Sequence, residues 1–359
     1  MGNGTFNLWV FGDAHVGTDL KKGRESLSDA LRTSEQGGKH GGPAFEWDMA
    51  VDVGDMSGEQ SAPQDAEGKE VVRQFGSLEK HPREAVFSVC GNHDRSSPDD
   101  PAAWWWQKWI DPMGKHTQHS RVDPARRTFQ VEGTWERYAF RVGNLIFLMM
   151  SDINEPTQTA GRDELGGNPG GVVSGETFSW WKSQVESHAD CIIISVHHYM
   201  LKDTTVASGE WEGMRKDAEG NWEGHYHGYK PRGTPRGASY LYFVDSRPDA
   251  QAFESYLRDH PGATVLWLGG HTHTHPDDMY GNKSHVEKKW GTYFINAACL
   301  SRYHGSTNVP KSRVLTFREG SPDVKVRCYM HTNEFLPQGW HDKAECSLKL
   351  ERAFRREAS

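Results

Sequence analysis

Several features that identify common classes of protein are missing from this chain. It has five cysteines, an odd number, and no Cys-x-x-Cys pair, so the sequence indicates no disulfide framework. The longest strongly apolar run is LIFLMM (145–150), which is far too short to span a bilayer. The net charge is −8, whereas a general nucleic-acid binder presents a basic face. We therefore expect no membrane partner and no general nucleic-acid binding.

A secretion signal is not visible either. The first strand-like run begins by about Phe6, which leaves no room for a basic segment followed by an apolar stretch. We therefore expect a cytoplasmic location, although a chain trimmed of its leader would look the same. Cys90, Cys191 and Cys299 lie within apolar runs and are expected to be buried free thiols, which fits a reducing compartment.

Oxygen and imidazole side chains, by contrast, recur in five short blocks. The blocks are FGDAHVG (11–17), VGDMSG (53–58), CGNHDR (90–95), IIISVHHY (192–199) and LGGHTHTH (268–275). Their candidate metal ligands are Asp13, His15, Asp55, Asn92, His197, His271 and His273. Ligands of this kind suit Mn, Fe or Zn. They are too many for one tetrahedral site, but a shared carboxylate gives each of two ions a workable set, which is a device for hydrolysing phosphate esters.

Each block follows a short apolar run. The runs are LWVF, MAVDV, AVFSVC, CIIISV and TVLWLG, and their β-branched and aromatic residues are typical of buried strands. Every candidate ligand is thus predicted to lie just past the carboxyl end of a strand, where α/β sheets form their ligand sites. Helices are predicted over about 24–33, 65–80, 175–188 and 248–259.

The order of these motifs, Asp-x-His, Gly-Asp, Gly-Asn-His-Asp, His and Gly-His-x-His, resembles the calcineurin-like metallophosphoesterase superfamily over about residues 6–305. The resemblance implies an α/β fold, a four-layer α/β/β/α sandwich of two mixed sheets flanked by helices. It implies that a first metal is held by Asp13, His15, Asp55 and His273, and a second by Asp55, Asn92, His197 and His271. The two metals would be divalent or trivalent ions, with Asp55 bridging them.

The resemblance also implies the catalytic roles. A metal-bridging hydroxide would attack phosphorus, with Asp55 and Asn92 in the catalytic centre. His93 corresponds to a histidine that is not a ligand and either stabilises the transition state or protonates the leaving oxygen. Gly58 is a departure, because phosphoprotein phosphatases have at that position an Asp that pairs with the catalytic histidine. This departure argues against a protein phosphatase.

The doubled histidine leaves a choice open. One of His197 and His198 is expected to be a ligand and the other a neighbouring or surface residue. His197 is preferred because it directly follows the apolar run and matches the family position. His198 is then a candidate substrate-binding residue, with Arg232, Arg236, Arg302 and His304.

The whole chain, 1–359, is interpreted as one domain with two inserts and a tail. The insert at about 98–128 has four tryptophans, which either pin it to the core or line the mouth of the site. The insert at about 202–240 either closes over the substrate or is a solvated surface loop. The tail, about 312–359, is predicted to form a hairpin over 312–330 and then a basic helix.

The expected partner is a small phosphate-ester substrate, and the predicted function is its hydrolysis, with a phosphodiesterase favoured. The alternatives are a phosphomonoesterase and, given the acidic charge, less readily a nuclease. A non-catalytic scaffold of the same fold is the rival from another class, and the loss of Asp13, Asp55, Asn92 or His271 would have favoured it. The sequence indicates no oligomeric state.

Overall fold

A computed structural model of the chain describes residues 4–58, 62–94, 101, 103–153, 171–209, 213–216, 219, 222–225, 241, 243–244, 251–302 and 308–356. Its helices are α1 (Val16–Lys21), α2 (Ser26–Gln36), α3 (Asp65–Phe75), α4 (Trp104–Trp109), α5 (Thr117–Ser120), α6 (Gly175–Ser187) and α7 (Gln251–Asp259). Its strands are β1 (Thr5–Phe11), β2 (Met49–Asp52), β3 (Val86–Ser88), β4 (Glu132–Gly133), β5 (Arg137–Val142), β6 (Leu145–Met150), β7 (Val172–Val173), β8 (Ile192–Val196), β9 (Gly213–Lys216), β10 (Trp222–His225), β11 (Phe243–Val244), β12 (Leu266–Gly269), β13 (Val286–Lys289), β14 (Thr292–Asn296), β15 (Lys311–Arg318), β16 (Asp323–Met330), β17 (Gly339–Trp340) and β18 (Cys346–Lys349).

Two mixed sheets form the centre of the fold. The first has the order β17-β16-β15-β1-β2-β3, with β18 also paired to β16. The second has the order β13-β14-β12-β8-β6-β5-β4. In the first sheet β1, β2 and β3 are parallel, and in the second β6, β8, β12 and β14 are parallel. The other pairings within the two sheets are antiparallel.

The two sheets pack face to face, and helices cover their outer faces. Strand β1 shows how the sequence produces this, because alternate side chains of a strand point to opposite faces. Phe6, Leu8 and Val10 join the core between the sheets, while Trp9 and Phe11 join a second core beneath helices α2, α3 and α4. A third core lies between the second sheet and helices α6 and α7. The predicted four-layer α/β/β/α arrangement is thereby confirmed.

Helix α6 illustrates how the outer layers are anchored. The Ser174 hydroxyl accepts a hydrogen bond from the amide of Thr177 at 3.1 Å, which caps the first turn. Thr177, Trp181 and Val185 are spaced by four residues and form the buried face. Trp181 is fully buried and donates from Nε1 to the Ser195 hydroxyl on β8 at 2.8 Å. The helix thus packs on the strand that leads to the doubled histidine.

The five runs that precede the ligand blocks form β1, β2, β3, β8 and β12, as predicted. The insert at 98–128 is bound to the core, because Trp105, Trp106 and Trp109 are buried in the cluster beneath the helices. The Trp105 indole donates to the Gln64 carbonyl at 2.9 Å, and the Trp109 indole donates to Asp65 at 3.0 Å. Among the described residues, no helix has both the length and the apolar character needed to cross a membrane.

The tail departs from its prediction. The hairpin over 312–330 is present as β15 and β16, but the segment after it contains β17 and β18 instead of a helix. Strand β18 pairs with β16 in the register Val324↔Leu348, and Leu348 is buried in the core between the sheets. Pairing with a distant strand therefore overrides the local preference of the tail.

Candidate metal centre

Loops from both sheets meet at one end of the core between them. Asp13 and His15 follow β1, Asp55 follows β2, and Asn92 and His93 follow β3. The loops after β8 and β12 carry His198, His271 and His273 from the second sheet. Because these strands are parallel within each sheet, their carboxyl ends share an edge. The candidate centre is therefore built across the two sheets.

The backbone at this edge adopts conformations that side-chain-bearing residues rarely take. Asp13, His15, Asp55, His271 and His273 have φ values of 56°, 42°, 59°, 67° and 36°. Such left-handed conformations are uncommon for residues other than glycine and persist where the surrounding structure enforces them. Of the twelve described non-glycine residues with positive φ, these five lie at candidate ligand positions, so the strained backbone recurs at this edge without being confined to it.

The first group of possible ligands contains Asp13, His15 and His273. Their donor atoms all lie within 4.8 Å of one another. His273 Nε2 is 2.8 Å from Asp13 Oδ1 and 3.1 Å from His15 Nε2. The backbone also orients the Asp13 carboxylate, because its Oδ1 accepts a hydrogen bond from the His271 amide at 3.0 Å. Three donors thus converge on one point.

The second group contains Asp55, His198 and His271, again with donor atoms within 4.8 Å of one another. His198 Nε2 is 3.2 Å from Asp55 Oδ2 and 3.1 Å from Asn92 Oδ1. Asp55 Oδ2 also lies 3.8 Å from His15 Nε2, so this carboxylate stands between the two groups. The Asn92 amide adds a further oxygen on the side of His198.

His197, the ligand expected from the sequence, is not part of either group. Its Nδ1 accepts the Tyr199 amide at 3.0 Å, and its Nε2 has no hydrogen-bond partner among the described residues. His198, which was predicted to bind substrate, lies in the second group instead. The reason is that β8 ends at Val196, so strand alternation no longer sets the side-chain directions. The His198 imidazole is fixed by the carbonyl of Val53, which directly follows β2 of the other sheet.

The ring tautomers suit metal binding. His198 Nδ1 donates to the Val53 carbonyl at 2.8 Å, and His15 Nδ1 donates to the Ser57 carbonyl at 2.9 Å. A carbonyl on Nδ1 directs the lone pair of Nε2 towards the centre, which is the usual arrangement behind a metal-bound histidine. Burial lowers the pKa of both His15 and His271 well below the ordinary value, so these rings are neutral. Neutral imidazoles and carboxylates fit Mn, Fe or Zn.

The charge of Asp55 dominates the electrostatics of the second group. Burial lowers the pKa of His198, but the neighbouring Asp55 carboxylate outweighs this effect and raises it to about 10. The His198 ring is therefore cationic beside Asp55, and a metal bound at Nε2 would take the place of that proton.

Asp94 supports the loop that carries Asp55. Its carboxylate accepts the amides of Asp55, Ser57 and Gly91 at 3.0, 2.8 and 2.9 Å. Burial, followed by the charge of Asp55, raises the pKa of Asp94 to about 7.

His93 lies beside the first group and the bridging carboxylate. Its ring is 5.1 Å from the His15 ring at an interplanar angle of 87°, and its amide donates to Asp55 Oδ1 at 2.8 Å. The ring atoms of His93 also lie within 4.8 Å of the donor atoms of His15 and Asp55. Its side chain can therefore reach a group bound next to Asp55.

Gly58 is required by the packing of the centre. A Cβ at this position would lie 2.5 Å from the His15 carbonyl oxygen and 2.5 Å from the Thr18 amide nitrogen. Real Cβ atoms do not approach other atoms so closely, so an aspartate could be placed here only if the His15 loop moved. The glycine that stands here in place of the aspartate of phosphoprotein phosphatases is thus required by the packing around His15.

Glu67, on α3, is a site residue that the sequence reasoning missed. Its Oε1 accepts the amides of Gly17 and Gly58, each at 2.7 Å. These two glycines follow His15 and Ser57, the pair joined by the imidazole–carbonyl hydrogen bond. Glu67 therefore ties the first ligand loop to the second. A Glu in an amphipathic helix has no sequence feature that marks this role.

Glu67→Ala is expected to weaken metal binding by about 10- to 100-fold, the usual cost of losing a group that orients a ligand. Glu67→Gln keeps a carbonyl acceptor, so its metal affinity should stay close to that of the wild type. Titration of the metal-depleted variants with Mn²⁺ measures the effect. Glu70→Ala, on the same helix, removes a carboxylate bound to Arg73 and serves as the control. Wild-type affinity in Glu67→Ala would contradict the assigned role.

The remaining predicted substrate-binding residues are placed as follows. Arg302 follows Leu300 and Ser301, whose amides donate to the carbonyls of Gly12 and Asp13, and its guanidinium pairs with Glu334. Arg302 is therefore close to the first ligand loop, with its charge balanced by a carboxylate. Arg232, Arg236 and His304 lie outside the described residues.

Comparison with known proteins adds little. No family model and no curated protein matches the chain. Among solved structures, it is similar to a conserved uncharacterised protein, a predicted phosphoesterase, from Streptococcus pneumoniae TIGR4, with 10% identity, a TM-score of 0.36 and coverage of 97% of this chain and 99% of that one. It is also similar to Vps29 from Chaetomium thermophilum, with 10% identity, a TM-score of 0.30 and coverage of 96% and 95%. Both likenesses are weak and carry no conclusion about function.

Proposed function

We propose that this protein is a metal-dependent phosphoric ester hydrolase that uses two ions, and that its substrate is a small organic phosphodiester. One observation carries the proposal. Two largely buried His/Asp groups, each compact enough for one ion, lie side by side, with Asp55 of the second group 3.8 Å from His15 of the first. Between them, His93 forms a third compact group with His15 and Asp55. Two adjacent ions of this kind are a device for in-line displacement at phosphorus.

The proposed ligand set differs from the sequence prediction at one position. The first ion would be held by Asp13, His15, Asp55 and His273. The second would be held by Asp55, Asn92, His198 and His271. Bound ions would supply a deprotonated water near neutral pH and neutralise charge on the phosphate oxygens.

The protein's own groups would orient the substrate and move the proton. The Asn92 side-chain amide lies beside His198, where its NH₂ group can donate to a phosphate oxygen. His93 would donate a proton or hydrogen bond to the leaving oxygen, because its ring lies beside Asp55 without being needed in either ligand set. Asp94 and Glu67 would hold the ligand loops in position through the backbone amides that they accept.

A diester is favoured over a monoester by charge. A monoester carries a second negative charge, which usually requires an additional cation that contacts the phosphate. Arg302 is the candidate cation among the described residues, and its charge is balanced by Glu334. The blocked Asp position at Gly58 also separates this site from the phosphoprotein phosphatases.

The test is hydrolysis of bis-(p-nitrophenyl) phosphate and of p-nitrophenyl phosphate by metal-depleted protein reloaded with Mn²⁺. Preference for the diester would support the proposal. Preference for the monoester would favour a phosphatase and make Arg302 a candidate phosphate contact. Stoichiometric binding of two metals without turnover of either ester would count against the hydrolase and for a scaffold of the same fold.

His93→Ala is expected to lower turnover by roughly 10²- to 10⁴-fold, the usual contribution of a general acid. Both metals should remain bound, since the proposed ligand sets do not need this ring. Steady-state kinetics combined with metal analysis of the same sample measures both effects. Loss of metal from the variant would show that His93 is a ligand and that its assigned role is wrong.

A further inference from the structure

A cavity of about 340 Å³, separate from the proposed metal centre, lies between the edges of the two sheets. Its walls come from the segment after His275, from β13, from β15 and from the residues that lead into β18. Arg313 and His285 line it, with Lys343 exposed among the lining residues. None of these residues belongs to the proposed metal centre.

The cavity borders an unusual accumulation of buried positive charge. Arg313 is 1% exposed, and Lys311, two residues earlier on the same face of β15, is fully buried. Both project between the sheets, on the side where Leu315 and Phe317 join the core. Across the part of the chain that the structure describes, no carboxylate lies within 4.0 Å of either cation.

The hydrogen bonds of these groups do not compensate for the missing counter-charge. Arg313 Nη1 donates to the Ala344 carbonyl at 2.9 Å, but its Nε has no acceptor. Lys311 Nζ donates to the Thr274 carbonyl at 2.7 Å. His285 Nε2 is 2.5 Å from the Thr274 hydroxyl, and its Nδ1 has no partner among the described groups. A buried cation without a counter-charge is costly, so a folded protein normally provides one.

Three carboxylates also line the cavity, but each is bound elsewhere. Asp277 is 2.6 Å from His341, Glu345 is 2.5 Å from Lys325, and Asp278 accepts the His275 amide at 2.9 Å. Among the described residues none of the three lies within 4.0 Å of Arg313, although Asp277 interacts electrostatically with Lys343. Arg313 is therefore the cation that faces the cavity without a direct ion pair.

We propose that this cavity binds a small oxyanion, of the phosphate or carboxylate class, through Arg313 and Lys343. The planar guanidinium suits two parallel hydrogen bonds to either kind of anion. The cavity volume lies at the lower end of the range found for small-molecule sites. The bound anion supplies the charge that the protein does not place beside Arg313.

The experiment measures thermal unfolding of the EDTA-treated protein in phosphate-free buffer as inorganic phosphate is added at constant ionic strength. A rise in Tm of about 2 °C or more is expected at ligand concentrations well above Kd. A parallel titration with acetate separates the two classes of anion. No rise with either anion would overturn the proposal.

Substitutions inside and outside the cavity show whether the rise in Tm arises from binding there. In Arg313→Met, the Tm in phosphate-free buffer should equal or exceed that of wild type, because an unbalanced buried charge has been removed. Its Tm should no longer respond to the anion. The matched control is Arg327→Met on β16, which replaces an arginine that stacks on Trp340 and does not line the cavity. An undiminished response in Arg313→Met would overturn the proposal.

Two further variants test the site independently of whether Arg313→Met folds. Lys343 is exposed, so Lys343→Ala should fold normally and lower the anion affinity by about 5- to 10-fold, as expected for loss of one charged contact. Unchanged affinity would count against the site even if Arg313→Met failed to fold. His198→Ala should retain the response, because it removes an imidazole of the proposed metal centre that could hold an anion and leaves the cavity unchanged. Loss of the response there would place the anion at that centre and overturn the cavity site, with no bearing on the hydrolase proposal.

Discussion

Asp55→Asn is expected to abolish ester hydrolysis and to lower the metal content of the protein. Asp55 is 1% exposed and stands between the two groups of possible ligands, 3.2 Å from His198 and 3.8 Å from His15. An amide in its place removes the negative charge that both proposed ions would share. The NH₂ group of the asparagine has no lone pair to offer, so only one of the two ions could be bound through this side chain.

Metal analysis and turnover of bis-(p-nitrophenyl) phosphate on the same preparation measure this prediction. Asp29→Asn is the control, since it changes an exposed aspartate on α2 that pairs with Arg32 and Lys39. The control should keep full activity and metal content. An Asp55→Asn protein that retains both metals and its turnover would falsify the proposal that this carboxylate bridges two ions.

His198→Ala should lower kcat/KM by more than about 100-fold, whereas His197→Ala should change it only a few-fold. Loss of a group that orients a ligand already lowers metal affinity or activity by about 10- to 100-fold, and loss of the ligand itself should lower them further. His197 is buried and bonded to Tyr199, so its removal should act through stability and lower the Tm.

The two neighbouring alanine variants control for each other, because they remove the same side chain at consecutive positions. Kinetics, metal content and Tm should be measured on both. If His197→Ala lost metal and His198→Ala did not, the assignment made from the sequence would be restored. If both lost metal equally, a general disturbance of the loop after β8 would be the better explanation.

The strands, and most of the side chains that the structure brings together at their ends, could be predicted because both are encoded locally. Each ligand block follows an apolar run, and the carboxyl end of a strand is where a loop can present a side chain. Asp13, His15, Asp55, His271 and His273 could thus be selected without knowledge of tertiary contacts. The four layers were what the family resemblance implied.

The features that escaped prediction depend on contacts between distant segments. His198 rather than His197 is held at the centre by the carbonyl of Val53, which directly follows β2 of the other sheet. Glu67 acts through amides of two earlier loops, 50 and 9 residues away in the sequence. The tail becomes strand β18 because β16 offers a free edge. Propensity and periodicity describe a segment by itself, so they contain no information about such partners.

The division of the ligands between the two sheets has a consequence for the protein's lifetime. Ions held by Asp55 on one side and His271 on the other would fasten the layers across the core, so unfolding would require their release. An ion at 100 times its dissociation constant adds about 2.7 kcal/mol to the free energy of unfolding. Metal-loaded protein should accordingly resist proteolysis longer than depleted protein. The supply of metal would then govern the abundance of the protein as well as its activity.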